Sequence, residues 1–268
     1  LFSENFNFRP HSLVNFVGGG GKTQLILKLM EEFCAAGPVL YTTTTRIHPP
    51  DPKENLCIIS SDNLLLLKQI VNRIGNSWEH LPTKVAATCR YISPTLLRGV
   101  PPDFADGVDR SLFPILLNEA DGAASFSLKM PGEHEPVLME NAEYLVPVIG
   151  MDCLNKPLGP DVFFRWKNFA AHSSLREGES ITPDFAAGIL MHVRGVCRHW
   201  KPGMQIVPFI NKADSLSQDS LARDLALSIL NNGQFPVERV VYGSVLQGRS
   251  YSIALPQTHG SRTSDEQP

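Results

Sequence analysis

The run Gly18-Gly19-Gly20-Gly21-Lys22-Thr23 follows the apolar residues Leu13 to Val17 and opens an amphipathic stretch. Glycines let successive backbone N–H groups turn toward one point without Cβ clashes, and a helix beginning near Lys22 would add its positive N-terminal dipole to that concavity. In such a nest the Lys22 ammonium reaches the β- and γ-phosphates of a nucleotide, and the Thr23 hydroxyl ligates the Mg²⁺ that bridges them. The pattern is a shortened one, because G-x-x-x-x-G-K-[ST] asks for glycine where Phe16 stands. A G-x-x-G-K-T loop still supplies the N–H groups, the lysine and the metal hydroxyl. The alternative is an ordinary tight strand-to-helix turn.

Further along, Asn211-Lys212-Ala213-Asp214 follows the apolar run Ile206 to Ile210. An aspartate at that place accepts hydrogen bonds from guanine N1–H and the exocyclic amine, a pattern adenine does not present. Asn211 would tie the base to the loop framework, the Lys212 stem would cover a ring face, and Gly243-Ser244 would supply a backbone contact. Between the two motifs, Glu119 and Asp121 end another apolar run and alternate to the same side, suited to metal and to the attacking water. The run Thr42-Thr43-Thr44-Thr45-Arg46 ends a further strand. Its hydroxyls, Thr43 and Thr44 above all, and its cation are candidates for the metal shell and phosphate oxygens, or they serve β-propensity alone. His48, followed by two prolines, reads as a loop residue. Lys129, Glu135 and Arg165 are candidates to close over the nucleotide or a second substrate.

Positioning these groups requires strands that end together. Apolar patterning predicts strands at 13–17, 39–42, 56–59, 85–91, 113–118, 144–149, 205–211 and 237–242, with helices over 22–36, 63–74, 183–194 and 216–231. Thr182 is a cap candidate, and Ser215 with Gln218 has capping-box spacing. Alternating strands and helices imply an α/β fold with a mostly parallel sheet flanked by helices, whose ligands gather at the carboxyl ends of the strands. The stretch Gly122 to Arg176, rich in Pro, Gly and isolated aromatics, reads as an elaborated insertion in a single domain of residues 1–258. The polar tail 259–268 is expected to be disordered.

The chain has 268 residues, 43% of them hydrophobic, which is enough for a substantial core. A formal charge of −3 gives no basic footprint for general nucleic-acid binding. The apolar runs are too short to span a bilayer, so neither nucleic acid nor membrane is an expected partner. Five scattered cysteines without a C-x-x-C pair suit free thiols in a reducing cytosol and show no zinc-ligand spacing. The amino-terminal segment has no signal-peptide pattern, and a start at Leu1 leads to the expectation that the initiator is missing. A cytoplasmic protein is expected.

Taken in order, the motifs Val17 to Thr23, Thr42 to Ile47, Glu119-Ala-Asp-Gly122, Leu128-Lys129, Glu133-His-Glu-Pro-Val137, Val148 to Asp152 and Asn211 to Asp214 resemble the YqeC-like proteins. That family comprises accessory proteins associated with selenium-dependent molybdenum hydroxylases. The resemblance implies a P-loop NTPase-like nucleotide-binding protein serving selenium or molybdenum cofactor maturation, with a molybdenum hydroxylase or maturation protein as partner. Phe164-Arg165 stands where the family tends to show His-Arg, and Gln24 replaces a common threonine. The leading expectation is Mg²⁺-dependent binding and hydrolysis of GTP, with Lys22, Glu119 and Asp121 catalytic and Thr23, Glu119 and Asp121 around the metal. The rivals are an ATP-dependent ligase or kinase with a short phosphate loop, and a nucleotide-sensing cofactor chaperone that does not hydrolyse.

Overall fold

The computed structural model describes residues 1–77, 79, 83–170 and 176–256; the expected disorder of 259–268 lies outside them. In chain order the strands are β1 (Ser12–Gly18), β2 (Val39–Thr43), β3 (Arg46–Ile47), β4 (Cys57–Ser60), β5 (Lys84–Thr88), β6 (Arg90–Ser93), β7 (Leu96–Arg98) and β8 (Ile115–Glu119). They continue with β9 (Leu128–Lys129), β10 (Tyr144–Gly150), β11 (Phe163–Phe164), β12 (Gln205–Ile206), β13 (Phe209–Asn211), β14 (Arg239–Ser244) and β15 (Arg249–Ala254). The helices are α1 (Phe2–Phe6), α2 (Lys22–Phe33), α3 (Leu64–Asn76), α4 (Trp166–Ala170), α5 (Pro183–Leu190) and α6 (Leu216–Leu230).

The central sheet runs β4-β5-β2-β8-β1-β10-β13-β14-β15, with β12 beside β10. Its pairings are parallel except for the last, β14 with β15. β1, β8 and β10 are buried along their whole length, as strands covered on both faces must be, and this explains their nearly unbroken apolar sequences. Alternate residues separate the two faces. Val14, Phe16, Ile115 and Leu117 pack with α1 and α2, whereas Leu13 and Leu116 pack with α3, and Leu145, Ile149 and Ile210 with α5 and α6. The fold is therefore α/β with a mostly parallel sheet between helical layers, in keeping with a P-loop NTPase-like architecture.

Several boundaries differ from the sequence reading for local reasons. The run 205–211 is two strands, because Pro208 has no N–H to donate to a ladder. The run 85–91 ends at Thr88, after which the chain leaves the main sheet for a three-stranded one, β3-β7-β6. Helix α5 stops at Leu190 rather than 194, ahead of a segment containing Val193 and Gly195, while Thr182 caps its start through Phe185 N–H at 3.2 Å. The elaborated stretch 122–176 consists of two segments on either side of β10, and the small β9–β11 sheet joins those segments to each other. No helix among the described residues is long and apolar enough to cross a membrane, and the five cysteines are free thiols.

Candidate functional site

β1 ends at Gly18 and α2 begins at Lys22, so the glycines form the strand-to-helix turn at the carboxyl edge of the sheet. The turn is pinned on both sides. Gly18 N–H donates to the two Asp121 oxygens at 3.1 and 3.0 Å, Gly19 N–H to Val148 O at 2.9 Å, and Gly20 N–H to Phe126 O at 2.9 Å. A Cβ on Gly19 would lie 2.3 Å from Phe126 O, and one on Gly20, where φ is +84°, 2.3 Å from Gly150 N. Gly19 needs glycine for close approach alone, and Gly20 for close approach and backbone conformation together. The N–H groups of Gly18, Gly19 and Gly20 thus fasten the loop to its neighbours. Anion donors remain at the first turn of α2, whose leading N–H groups, those of Lys22 and Thr23 among them, have no intrahelical acceptor.

Beneath the turn lies a chain of charges that alternate in sign. Lys22 Nζ donates to Gly18 O at 2.6 Å and stands 3.2 Å from Asp121 Oδ1 and 3.7 Å from Glu119 Oε1. Asp121 Oδ2 is 2.9 Å from Lys129 Nζ, which is 2.8 Å from Glu135 Oε2, itself paired with Arg165 Nη1 at 2.5 Å. The side chains of Asp121 and Lys129 have no exposed surface, and that of Lys22 is 3% exposed. Burial alone would lower the Lys22 pKa, but Asp121 and then Glu119 outweigh it and hold the ammonium above its ordinary 10.5. At Glu135 burial pushes upward, yet the hydrogen bonds from Arg165 and Lys129 and the Gly132 N–H bring the carboxyl down to about 2. Lys129, Glu135 and Arg165 are therefore engaged with one another, and Lys129 also donates to Gly122 O. Arg165, in the left-handed region at φ +59°, lies over the Phe164 ring at 4.6 Å, and Phe164 stacks on Phe126 beside the glycine turn.

Glu119 collects hydroxyls. Its Oε2 accepts from Thr23 Oγ1 at 2.8 Å and from Tyr41 Oη at 3.1 Å. Tyr41 was not visible as a site residue because it sits in an apolar strand run; burial, then the Glu119 charge, pushes its phenol well above 10, so it stays a neutral donor. Glu119 and Asp121 do meet at one cation, as their alternation implies, but with different surroundings. Both oxygens of Asp121 are taken by Gly18 N–H, Lys22 and Lys129, whereas Glu119 faces the Thr23 hydroxyl.

The Asn211–Asp214 loop docks directly on the glycine turn. Asn211 Nδ2 donates to Gly20 O at 2.8 Å, and its Oδ1 accepts from Val245 N–H at 3.1 Å, so one amide holds two loops. Lys212, at φ +65°, reaches Ser127 Oγ and Asp152 Oδ2, each at 2.8 Å. Asp214 Oδ1 accepts from Ser244 Oγ at 2.5 Å. Its N–H donates to Gln218 Oε1 at 2.9 Å, so the glutamine of the expected capping box fastens this loop while Ser215 Oγ accepts from Gln218 N–H at 3.4 Å.

Thr43 and Thr44 lie at the same sheet edge with their hydroxyls donated to main-chain carbonyls, Thr43 to Glu119 O at 2.9 Å and Thr44 to Val137 O. His48 stays apart, with Nδ1 against Thr95 O. The described residues hold no group of three or more His, Cys, Asp or Glu side chains arranged for a metal. A metal here would take its protein ligation from Thr23 and Glu119, which suits Mg²⁺ because that ion keeps water and phosphate oxygens among its ligands.

The chain is 27% identical over 242 residues, 88% of either chain, to a protein of Escherichia coli (strain K12) named "Uncharacterized protein YqeC". No solved structure matches. The family model described as YqeC protein matches residues 14–167, a span that holds the glycine turn and all six groups of the charge chain, with the Asn211–Asp214 loop following it. The chain belongs to the YqeC family.

Proposed function

We propose that this protein binds a guanosine triphosphate with Mg²⁺ and hydrolyses it in the cytoplasm in support of selenium- or molybdenum-cofactor maturation. The observation that carries the nucleotide reading is the double tether of Asn211 to Gly20 O and Val245 N–H. It brings a loop suited to a base against a turn suited to phosphate, both at the carboxyl edge where parallel sheets bind ligands. The maturation role, and a molybdenum hydroxylase or maturation protein as partner, rest on the family resemblance.

In this reading Lys22 exchanges Gly18 O for phosphate oxygens, and the α2 N–H groups with its dipole stabilise the same charge. Thr23 and Glu119 hold Mg²⁺, which supplies charge neutralisation at the phosphates. Glu119 also orients the attacking water, with Tyr41 fixing its carboxylate. Asp121, enclosed by two ammonium groups and a main-chain N–H, is a positioning residue for Lys22 and the turn rather than a metal ligand. Asp214 selects the base, since Ser244 engages Oδ1 and orients the carboxylate.

Competition binding of GTP, ATP and XTP to the parent and Asp214→Asn tests this reading. An amide at 214 sets one N–H against a guanine N–H, costing about 1–3 kcal/mol or roughly five- to 150-fold in GTP affinity, and it complements the xanthine carbonyl. A swing from GTP toward XTP is expected, with phosphate released in the parent without any acceptor. Equal parental affinities for GTP and ATP would end the guanine assignment.

A further inference from the structure

The three-stranded sheet β3-β7-β6 carries an arginine on each strand at one level. Arg46 is directly opposite Arg98, and Arg98 directly opposite Arg90. Residues opposite one another in antiparallel strands project from the same face, so the three guanidinium groups share a surface. The adjacent positions Ile47 and Leu97 turn the other way into the core, and all three arginines are exposed. Like charges in direct opposition disfavour a sheet, and here the opposition occurs twice in succession. One carboxylate relieves it in part, Asp62 at 3.4 Å from Arg90. Among the described residues Arg46 and Arg98 have no carboxylate partner.

The position of this row bears on ligand binding. Gly99 N–H donates to Thr45 O and Val100 N–H to Thr43 O, each at 2.8 Å, and Cys89 N–H donates to Arg98 O at 2.9 Å. The small sheet is thereby fastened to the carboxyl ends of β2 and β5, at the edge that holds the glycine turn. We infer that Arg46, Arg98 and Arg90 form a second anion site, for a small molecule bearing linked phosphoryl groups. The guanidinium fork matches phosphoryl oxygens two at a time, which an ammonium does not. Strands about 4.8 Å apart set the outer two arginines about 10 Å apart at the backbone, from where flexible side chains converge on a pair of phosphoryl groups. The inference does not depend on the guanine reading.

The test is calorimetric titration of the full chain with inorganic pyrophosphate, in the absence and presence of saturating GTP, using the parent, Arg98→Gln, Arg98→Lys and, as a control on the α3 surface, Arg73→Gln. The parent and R73Q should show a pyrophosphate site that GTP does not displace. R98Q should weaken that site by about tenfold or more, and R98K should weaken it as well because it keeps charge but loses the fork. Because Arg98 is exposed, melting of R98Q near the parental temperature checks that the fold persists. Equal binding by parent and R98Q, an equal loss in R73Q, or displacement of all pyrophosphate by GTP overturns the inference. A triglutamate peptide binding the parent more tightly than pyrophosphate overturns the phosphoryl assignment. Failure of GTP to bind would refute the guanine reading while leaving the R98Q comparison intact.

Discussion

Replacing Asp121 by asparagine removes one negative charge from between two buried ammonium groups while keeping the side-chain shape. The amide oxygen can still accept from Gly18 N–H, but its NH₂ then confronts Lys22, at 3.2 Å from the present carboxylate, or Lys129, at 2.9 Å. Neither cation faces water in place of the lost carboxylate, since their side chains are 3% and 0% exposed. Breaking a buried pair by removing one partner costs about 3–5 kcal/mol, because it strands an uncompensated charge. With about 2–4 °C per kcal/mol for a large domain, the melting temperature should fall by roughly 6–20 °C. Urea unfolding of parent, D121N, Lys129→Met and the double variant completes the cycle. K129M takes away the surplus cation, so the double variant should lose less stability than the two single changes summed, with a coupling above about 1 kcal/mol. D121N within about 1 kcal/mol of the parent, or strictly additive effects, would refute the placement of Asp121 between two cations.

Lys22→Ala removes the charge-assisted phosphate contact proposed above, worth about 1.5–3 kcal/mol, so the affinity for a non-hydrolysable triphosphate should fall tenfold or more; unchanged affinity in a folded variant would sink the phosphate-loop reading. Glu135, lowered from 4.5 to about 2, contributes stability that is fully present above pH 4.5 and is lost as pH falls toward 2. Acid unfolding of Glu135→Gln should therefore lack that part of the parental pH dependence, and identical acid limbs for the two proteins would show that Glu135 is not held by Arg165 and Lys129.

The parts of the site legible in the sequence are those built from neighbours along the chain. Gly18 to Thr23 and Asn211 to Asp214 each carry their chemistry in consecutive residues, and each lies at a strand end that apolar patterning located within a few residues. What the sequence concealed depends on separation in sequence. Nothing local distinguishes Tyr41, in an apolar run, from core, yet its phenol reaches Glu119 across the β2–β8 pairing. Thr43 and Thr44 look like free hydroxyls until Glu119 O and Val137 O arrive from other segments. Short elements with little periodicity were also hidden. Helix α1 has five residues, though Phe2 and Phe6 are buried against Phe209, and β15 is an exposed edge strand without clean alternation.

The alternation of the charge chain has a consequence for how the turn could accept a phosphate. Lys22 cannot reach outward without giving up Gly18 O and Asp121, and a fully buried Asp121 deprived of all cations would be costly. Lys129 removes that obstacle. With Lys22 withdrawn, Asp121, Lys129, Glu135 and Arg165 remain as two negative and two positive groups in contact, a neutral set. The pair released toward the phosphate, Lys22 with Glu119, is neutral too, and Glu119 keeps the Thr23 and Tyr41 hydroxyls. Gly18 N–H still donates to Asp121, so the turn need not open when its lysine leaves. On the proposed nucleotide reading, a shortened loop whose first N–H groups hold its shape would depend on the buried Lys129 to keep Asp121 paired while Lys22 turns to the phosphate.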